Sequence, residues 1–224
     1  MSASTFIKVN HDSFEPQESC GSLDTTLFAA PKSDIYASPL GSTLHVYTAP
    51  VTCKRIAKES FKLARATVSA KWTLQFDQGG LVFTLPRPSN LNPDAVNATT
   101  ADVHPAWVKA GIEVNDGIAA VSIVGKSLNG WCDWSLVPAG GIKGPNGDIQ
   151  VTLEMTRFKN ALMIWMVDSD KKILIRKIPW LFLDNDDLSN DALVGVYAAR
   201  PDPYDQSGGQ DLEVKLSDFR LETL

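Results

Sequence analysis

The chain has 224 residues, 44% of them hydrophobic and 21% charged, with a formal net charge of −5. That length suits one large all-β domain or two small ones and suffices for a sizeable core. The acidic balance and the lack of a basic run exclude nucleic acid and anionic membranes as expected partners.

The longest apolar runs, such as Ala161 to Val167 and Leu193 to Ala199, fall well short of the ~20 residues of a membrane span. Residues 1–8 show no basic segment followed by an apolar stretch, so no secretory signal is expected. Cys20, Cys53 and Cys132 are an odd number at wide, irregular spacing. That fits neither a disulfide framework nor a zinc site, and it points to a reduced, cytoplasmic location.

Residues 1–25 are mixed and polar and read as an N-terminal arm that either adds an edge strand or stays loose. The sandwich domain is expected over 26–224. Thr26 to Ala30 is a short strand, Ser33 to Pro39 a loop carrying one aromatic, and Thr43 to Thr48 an alternating strand. Lys54 to Ala66 is ambiguous between a short helix and a strand that begins near Phe61 and runs on to Leu74. Phe76 to Leu85 is a strand with the pair Gly79-Gly80 inside it. Glycine within a strand marks a bulge or a close backbone approach. Pro86 to Thr100 is a polar loop.

Trp107 to Glu113 is the central strand. Alternation sends Val108, Ala110 and Ile112 to the core and Trp107, Lys109, Gly111 and Glu113 to the other face. Asn115-Asp116-Gly117 is a hairpin turn, with its partner strand at Ile118 to Gly125. Further strands are expected at Trp131 to Val137, Asp148 to Phe158, Leu162 to Val167, Ile173 to Ile178, Val194 to Ala199 and Leu212 to Leu221. Gly140 to Gly147 and Asp168 to Asp170 are turns. Trp180 to Leu183 extends its strand past Pro179, and Asp184 to Asp191 is an acidic loop. About a dozen short strands with frequent turns predict a single antiparallel β-sandwich with one concave polar face.

That polar face is the candidate site. An aromatic ring, a cation and a carboxylate share one strip, so a small polar ligand would stack on Trp107, place an anionic group against Lys109 and donate to Glu113. Lys109 and Glu113 are about 13–14 Å apart along a strand, so they bracket a ligand or pair separately. Gln78, Trp134 and Arg157 are the expected neighbours. Arg157 falls on the apolar parity of its strand and must be paired, either with a structural carboxylate or as an anion clamp. Arg176 and Arg200 are weaker versions of the same pattern.

Other chemistries find less support. A retaining glycosidase needs two carboxylates ~5–5.5 Å apart, and Glu113 has only Gly111 and Asn115 as same-face neighbours; a cross-strand partner would have to be Asp77 or Asp133. No Gly-x-Ser-x-Gly elbow accompanies His11, His45 and His104. His45 reads as a half-buried strand residue, and His104 as one that reaches the edge of the site. The acidic loop lacks the glycine and the closing glutamate of a calcium loop. No Walker spacing occurs, and Cys132 lacks an activating cation. No cofactor and no metal are expected.

The order Phe76-Asp77-Gln78-Gly79-Gly80-Leu81, Trp107 to Glu113, Asp133-Trp134-Ser135, Val194-Gly195-Val196-Tyr197 with Pro201, and Phe219 resembles the concanavalin A-like family named for regulation of enolase, over about Leu27 to Phe219. The resemblance implies a jelly-roll sandwich in a cytosolic protein linked to control of a glycolytic enzyme, which makes such an enzyme a candidate partner. Trp131-Cys132 and the loops Pro86 to Thr100 and Asp184 to Asp191 depart from the family pattern. Three functions are carried forward. One is a protein that binds a sugar-like or anionic ligand, regulatory or accessory to metabolism. Another is an isomerase, cyclase or hydrolase using Glu113 as general acid or base, with Lys109 stabilising negative charge. The last is a protein-interaction module.

Overall fold

The computed structural model describes residues 6–11, 17–19 (backbone), 22–38, 45–89, 91, 104–128, 132–138, 148–169 and 171–224. Two seven-stranded antiparallel sheets face each other. The front sheet consists, in spatial order, of β1 (Ile7–Val9), β6 (Val51–Ala57), β15 (Asp191–Ala199), β8 (Gln78–Leu85), β9 (Ala106–Asn115), β10 (Ile118–Lys126) and β11 (Cys132–Pro138). The back sheet is β14 (Lys171–Ile178), β13 (Ala161–Asp168), β12 (Ile149–Phe158), β7 (Phe61–Ala70), β16 (Leu212–Thr223), β3 (Ser22–Ala29) and β2 (Gln17–Ser19). A separate hairpin, β4 (Ile35–Ala37) with β5 (His45–Tyr47), completes the architecture. This is an antiparallel β-sandwich.

The alternation visible in sequence decides which side chains meet between the sheets. Val108, Ala110 and Ile112 of β9 pack with Leu81 and Phe83 of β8 against Val151, Leu153 and Met155 of β12. Each fully buried side chain of this kind contributes roughly 1.5–3 kcal/mol. The hairpin turn forms as expected: Asp116 and Gly117 both have positive φ (51° and 75°), the I′ geometry whose twist matches the flanking strands. This turn sets the register that places Ala120 opposite Glu113 and Val124 opposite Lys109.

The arm takes the edge-strand alternative at both sheets: Ile7–Val9 pairs with β6 and Gln17–Ser19 with β3. β3 begins at Ser22, on the arm's side of residue 25. Several other expectations are corrected. Ser33 to Pro39 is not all loop, because Ile35–Ala37 pairs with His45–Tyr47. Three alternating residues are too few to register as a strand in sequence. The ambiguous segment resolves into β6, a 3-10 turn at Lys58–Ser60 and β7, which stops at Ala70. Phe76 and Asp77 lie in a turn closed by the Asp77 N–H on Leu74 O, 3.0 Å. Trp180 to Leu183 does not extend β14. Pro179 has no N–H for a ladder, and the chain turns there so that Leu181 and Phe182 enter the core. The glycine-rich turn at Gly140 to Gly147 lies outside the described residues.

The glycine pair marks a close approach rather than a bulge. Gly80 sits in register opposite Gly111, and a Cβ built on either would fall 2.2 Å or less from a neighbouring backbone oxygen.

The outer face of the front sheet is not simply exposed. The β4–β5 hairpin lies across part of it and builds a second apolar core, in which Ile35, Tyr47, Val82, Trp107, Val124 and Tyr197 meet. This hairpin turns a sheet face into a walled pocket.

Candidate functional site

Where the hairpin ends, a pocket of about 380 Å³ opens on the outer face of the front sheet. Gln78 from β8, Lys109 and Glu113 from β9 and Asp34 at the foot of the hairpin supply its polar groups. Tyr36, Phe76 and Trp134 supply aromatic walls. Phe76 holds φ +65°, an unusual conformation for a bulky residue, and its ring meets Trp134 edge-on at 6.3 Å. Trp134 is 46% exposed and Tyr36 41%, so both rings are open to an incoming molecule.

Lys109 is 4% exposed and fully engaged. Its Nζ donates to Ile35 O at 2.6 Å, to Gln78 Oε1 at 2.6 Å and to Asp34 Oδ1 at 3.5 Å. An ammonium has three donors, and all three are used. The rings of Trp107 and Tyr197 lie 5.7 and 5.8 Å from the same nitrogen. Lys109 therefore fastens the hairpin to the sheet, and the expected anion contact is corrected accordingly: no donor is left for a ligand.

Gln78 is oriented by the same network. Its oxygen accepts from Lys109 and from the Tyr197 hydroxyl at 3.3 Å, while its amide donates to Asp34 Oδ1 at 3.3 Å and Phe76 O at 3.2 Å. Glu113 is 6% exposed. Its Oε2 accepts from the Ser122 hydroxyl at 2.5 Å and the Trp134 indole N–H at 3.2 Å. Among the described residues, no donor reaches Oε1. Burial pushes the Glu113 carboxyl above its ordinary range, opposed by the Lys109 charge and the Ser122 hydrogen bond.

The fold thus brings Gln78, Lys109, Glu113 and Trp134 together. It does not bring in Trp107, which is 2% exposed within the second core and cannot stack on a ligand. Nor does it bring in Arg157. That residue belongs to the back sheet, where it pairs with Glu59 Oε2 at 2.5 Å and packs over Phe182, so the anion-clamp role is corrected to a structural pair. Asp77 is fully buried in a two-pronged pair with Arg200, at 2.9 and 2.8 Å. Asp133 is exposed and pairs with Arg176. Neither lines the pocket with Glu113, which removes both expected partners for a two-carboxylate mechanism. His104 does not reach the pocket; it stacks on His45 at 3.9 Å. Among the described residues, no three His, Cys, Asp or Glu side chains come close enough to hold a metal, and no helix is long and apolar enough to cross a membrane.

Asp34, Tyr36, Ser122 and Tyr197 escaped sequence reasoning. Ser122 was reachable: the two-residue turn sets it opposite Gly111, diagonal to Glu113. The others depend on where a hairpin and a distant strand come to rest.

An uncharacterized protein of Emericella nidulans is 34% identical over 208 residues, covering 92% of this chain and 90% of the relative. A functionally unknown protein from Saccharomyces cerevisiae matches in structure at 22% identity and a TM-score of 0.68, over 98% of this chain and 97% of the other. A GH43 protein of Bacillus licheniformis matches at 11% identity and a TM-score of 0.56, over 91% of this chain but 33% of the other, a likeness of fold alone. A family model described as protein of unknown function (DUF1349) matches residues 14–224. With that span matched, the chain belongs to the DUF1349 family.

Proposed function

We propose that this protein binds a small polar molecule of about sugar size in the Tyr36–Phe76–Trp134 pocket, as a regulatory or accessory component of metabolism. One observation carries the reading: three aromatic walls and a buried carboxylate with one open oxygen converge on a single pocket of about 380 Å³. Small-molecule sites have this character, a largely apolar concavity of ~300–1,000 Å³ with few placed polar groups. The resemblance to the enolase-regulating family adds a cytosolic setting and a glycolytic enzyme as the first macromolecular partner to test.

A second reading is favoured by Glu113 itself. A desolvated carboxyl with a raised pKa and an open oxygen is suited to proton transfer. In that case Glu113 acts without an electrophile from Lys109, whose donors are taken, and the chemistry is restricted to moving a proton on a bound small molecule.

Thermal unfolding against sugars, polyols, amino sugars and sugar phosphates tests the binding reading. A ligand at 100 times its dissociation constant adds ~2.7 kcal/mol, roughly 5–11 °C for a chain of this size. A shift that Trp134→Leu abolishes places the ligand in this pocket. No shift with any compound sends the search to protein partners. Turnover of a bound compound that Glu113→Gln abolishes would select the catalytic reading.

A further inference from the structure

Resting on the pocket reading above, we infer that its ligand carries a positive charge: the Tyr36–Phe76–Trp134 pocket is an aromatic cage for an ammonium group, with Glu113 Oε1 and Asp34 as its counter-charge.

Among the described residues, the side-chain N–H donors of the site are already spent on protein oxygens. Lys109 uses three donors on Ile35 O, Gln78 Oε1 and Asp34 Oδ1. The Gln78 amide uses two on Asp34 Oδ1 and Phe76 O. The Trp134 indole N–H is shared between Glu113 Oε2 and the Ser122 hydroxyl. These side chains have no donor left for a ligand. Among the described residues, two acceptors remain open. One is Glu113 Oε1. The other is Asp34 Oδ2: the bonds to Asp34 from Ile35 N–H, Gln78 and Lys109 all fall on Oδ1. Among the described residues of the lining, the Tyr36 hydroxyl and, more weakly, the Cys132 thiol can act either way.

A neutral sugar presents donors and acceptors alternately, and its ring and hydroxyl oxygens would find few partners here. A phosphate or carboxylate would meet two carboxylates, with the Tyr36 hydroxyl and the weak Cys132 thiol as the donors open to it among the described residues. A protonated amine is donor-only and suits an acceptor-rich site. The formal charges lining the pocket agree: Asp34 and Glu113 are each −1 and Lys109 is +1, a net of −1 that a monovalent cation cancels. The Lys109 charge is felt at Glu113 and opposes a cation there, but the two carboxylates outnumber it and its Nζ is held by three oxygens beneath the hairpin. Tyr36, Phe76 and Trp134 line the pocket, and aromatic rings are the side chains that hold quaternary and protonated amines. Burial disfavours the charge on Glu113, and a cation beside Oε1 favours it. The other titratable groups around this carboxyl are Lys109, Asp34, Tyr197 and Cys132.

The test uses matched pairs that differ in charge: choline against its neutral isostere 3,3-dimethyl-1-butanol, and glucosamine against glucose, titrated calorimetrically. The charged member of at least one pair should bind about tenfold tighter or better than its neutral partner, from a cation–π contact and the attraction of the Glu113 and Asp34 carboxylates. Glu113→Gln should erase the preference while keeping the fold, because the amide still accepts from Ser122. Trp134→Leu, at an exposed position, should weaken the charged member by a similar factor. Equal binding of both members overturns the charge assignment and leaves the pocket reading intact. So does a preference that survives Glu113→Gln. Failure of all four compounds, alongside failure of the wider panel above, overturns both readings.

Discussion

Lys109→Met separates the structural role of this lysine from a ligand-binding one. Methionine keeps the unbranched stem but removes the ammonium that ties the hairpin to the sheet. Three acceptors are affected unequally. Gln78 Oε1 keeps the Tyr197 hydroxyl, and Asp34 keeps Ile35 N–H and Gln78. Ile35 O, on a fully buried residue, loses its lysine. Breaking a buried ion pair by deleting one member costs ~3–5 kcal/mol. The Asp34 side chain is 20% exposed and can rehydrate, which sets the expectation at the lower end, about 3 kcal/mol. For a chain of this length that lowers Tm by roughly 6–12 °C. Calorimetry together with urea unfolding measures it, and Asp34→Asn in a double-mutant cycle isolates the pair, since coupled deletions sum to less than their separate losses. A loss below about 1 kcal/mol, the worth of an exposed pair, would refute the clamp and return Lys109 to the ligand.

Other consequences follow from particular contacts. Glu113 is raised on folding, so its contribution is fully present below the unfolded pKa and is lost as pH rises through the folded value. Glu113→Gln is therefore expected to melt higher than wild type at neutral pH, with the gap closing in acid; a constant gap would show that burial does not govern this carboxyl. His45 is lowered from 6.5 to about 4 by burial, by His104 and by Lys126. Its contribution is present above pH 6.5 and is lost as pH falls toward 4. His45→Phe keeps the stack on His104 and should flatten that part of the Tm–pH curve, and an unchanged slope would assign it to other groups. Gly111→Ala would put a Cβ 2.0 Å from Gly79 O, where backbone cannot yield, and should lose ~1–3 kcal/mol or more. Gly125→Ala is the control, because its nearest neighbour is 3.8 Å away; equal melting of the two variants would contradict the close approach of β8 and β9.

The sandwich was legible in the amino-acid order because its information is local. Period-two alternation names the core face of β9 and β12 from the residues themselves, and Asp116-Gly117 specifies a turn whose geometry propagates along both flanking strands. The same locality put Lys109 and Glu113 on one strip and, through the register, made Ser122 recoverable.

The pocket was not local. Asp34 and Tyr36 reach it because a three-residue hairpin strand lies across the front sheet, and nothing in Ser33 to Pro39 specifies which surface it covers. That placement buries Trp107, which alternation alone would leave available, and occupies Lys109, which residue type alone would assign to an anion. Arg157 shows the same limit: parity required a partner, but only the packing of two sheets made it Glu59 rather than a ligand. Local pattern determined which side chains leave the core. What each of them meets there is set by long-range packing, where a few ångströms decide whether a donor is free or taken.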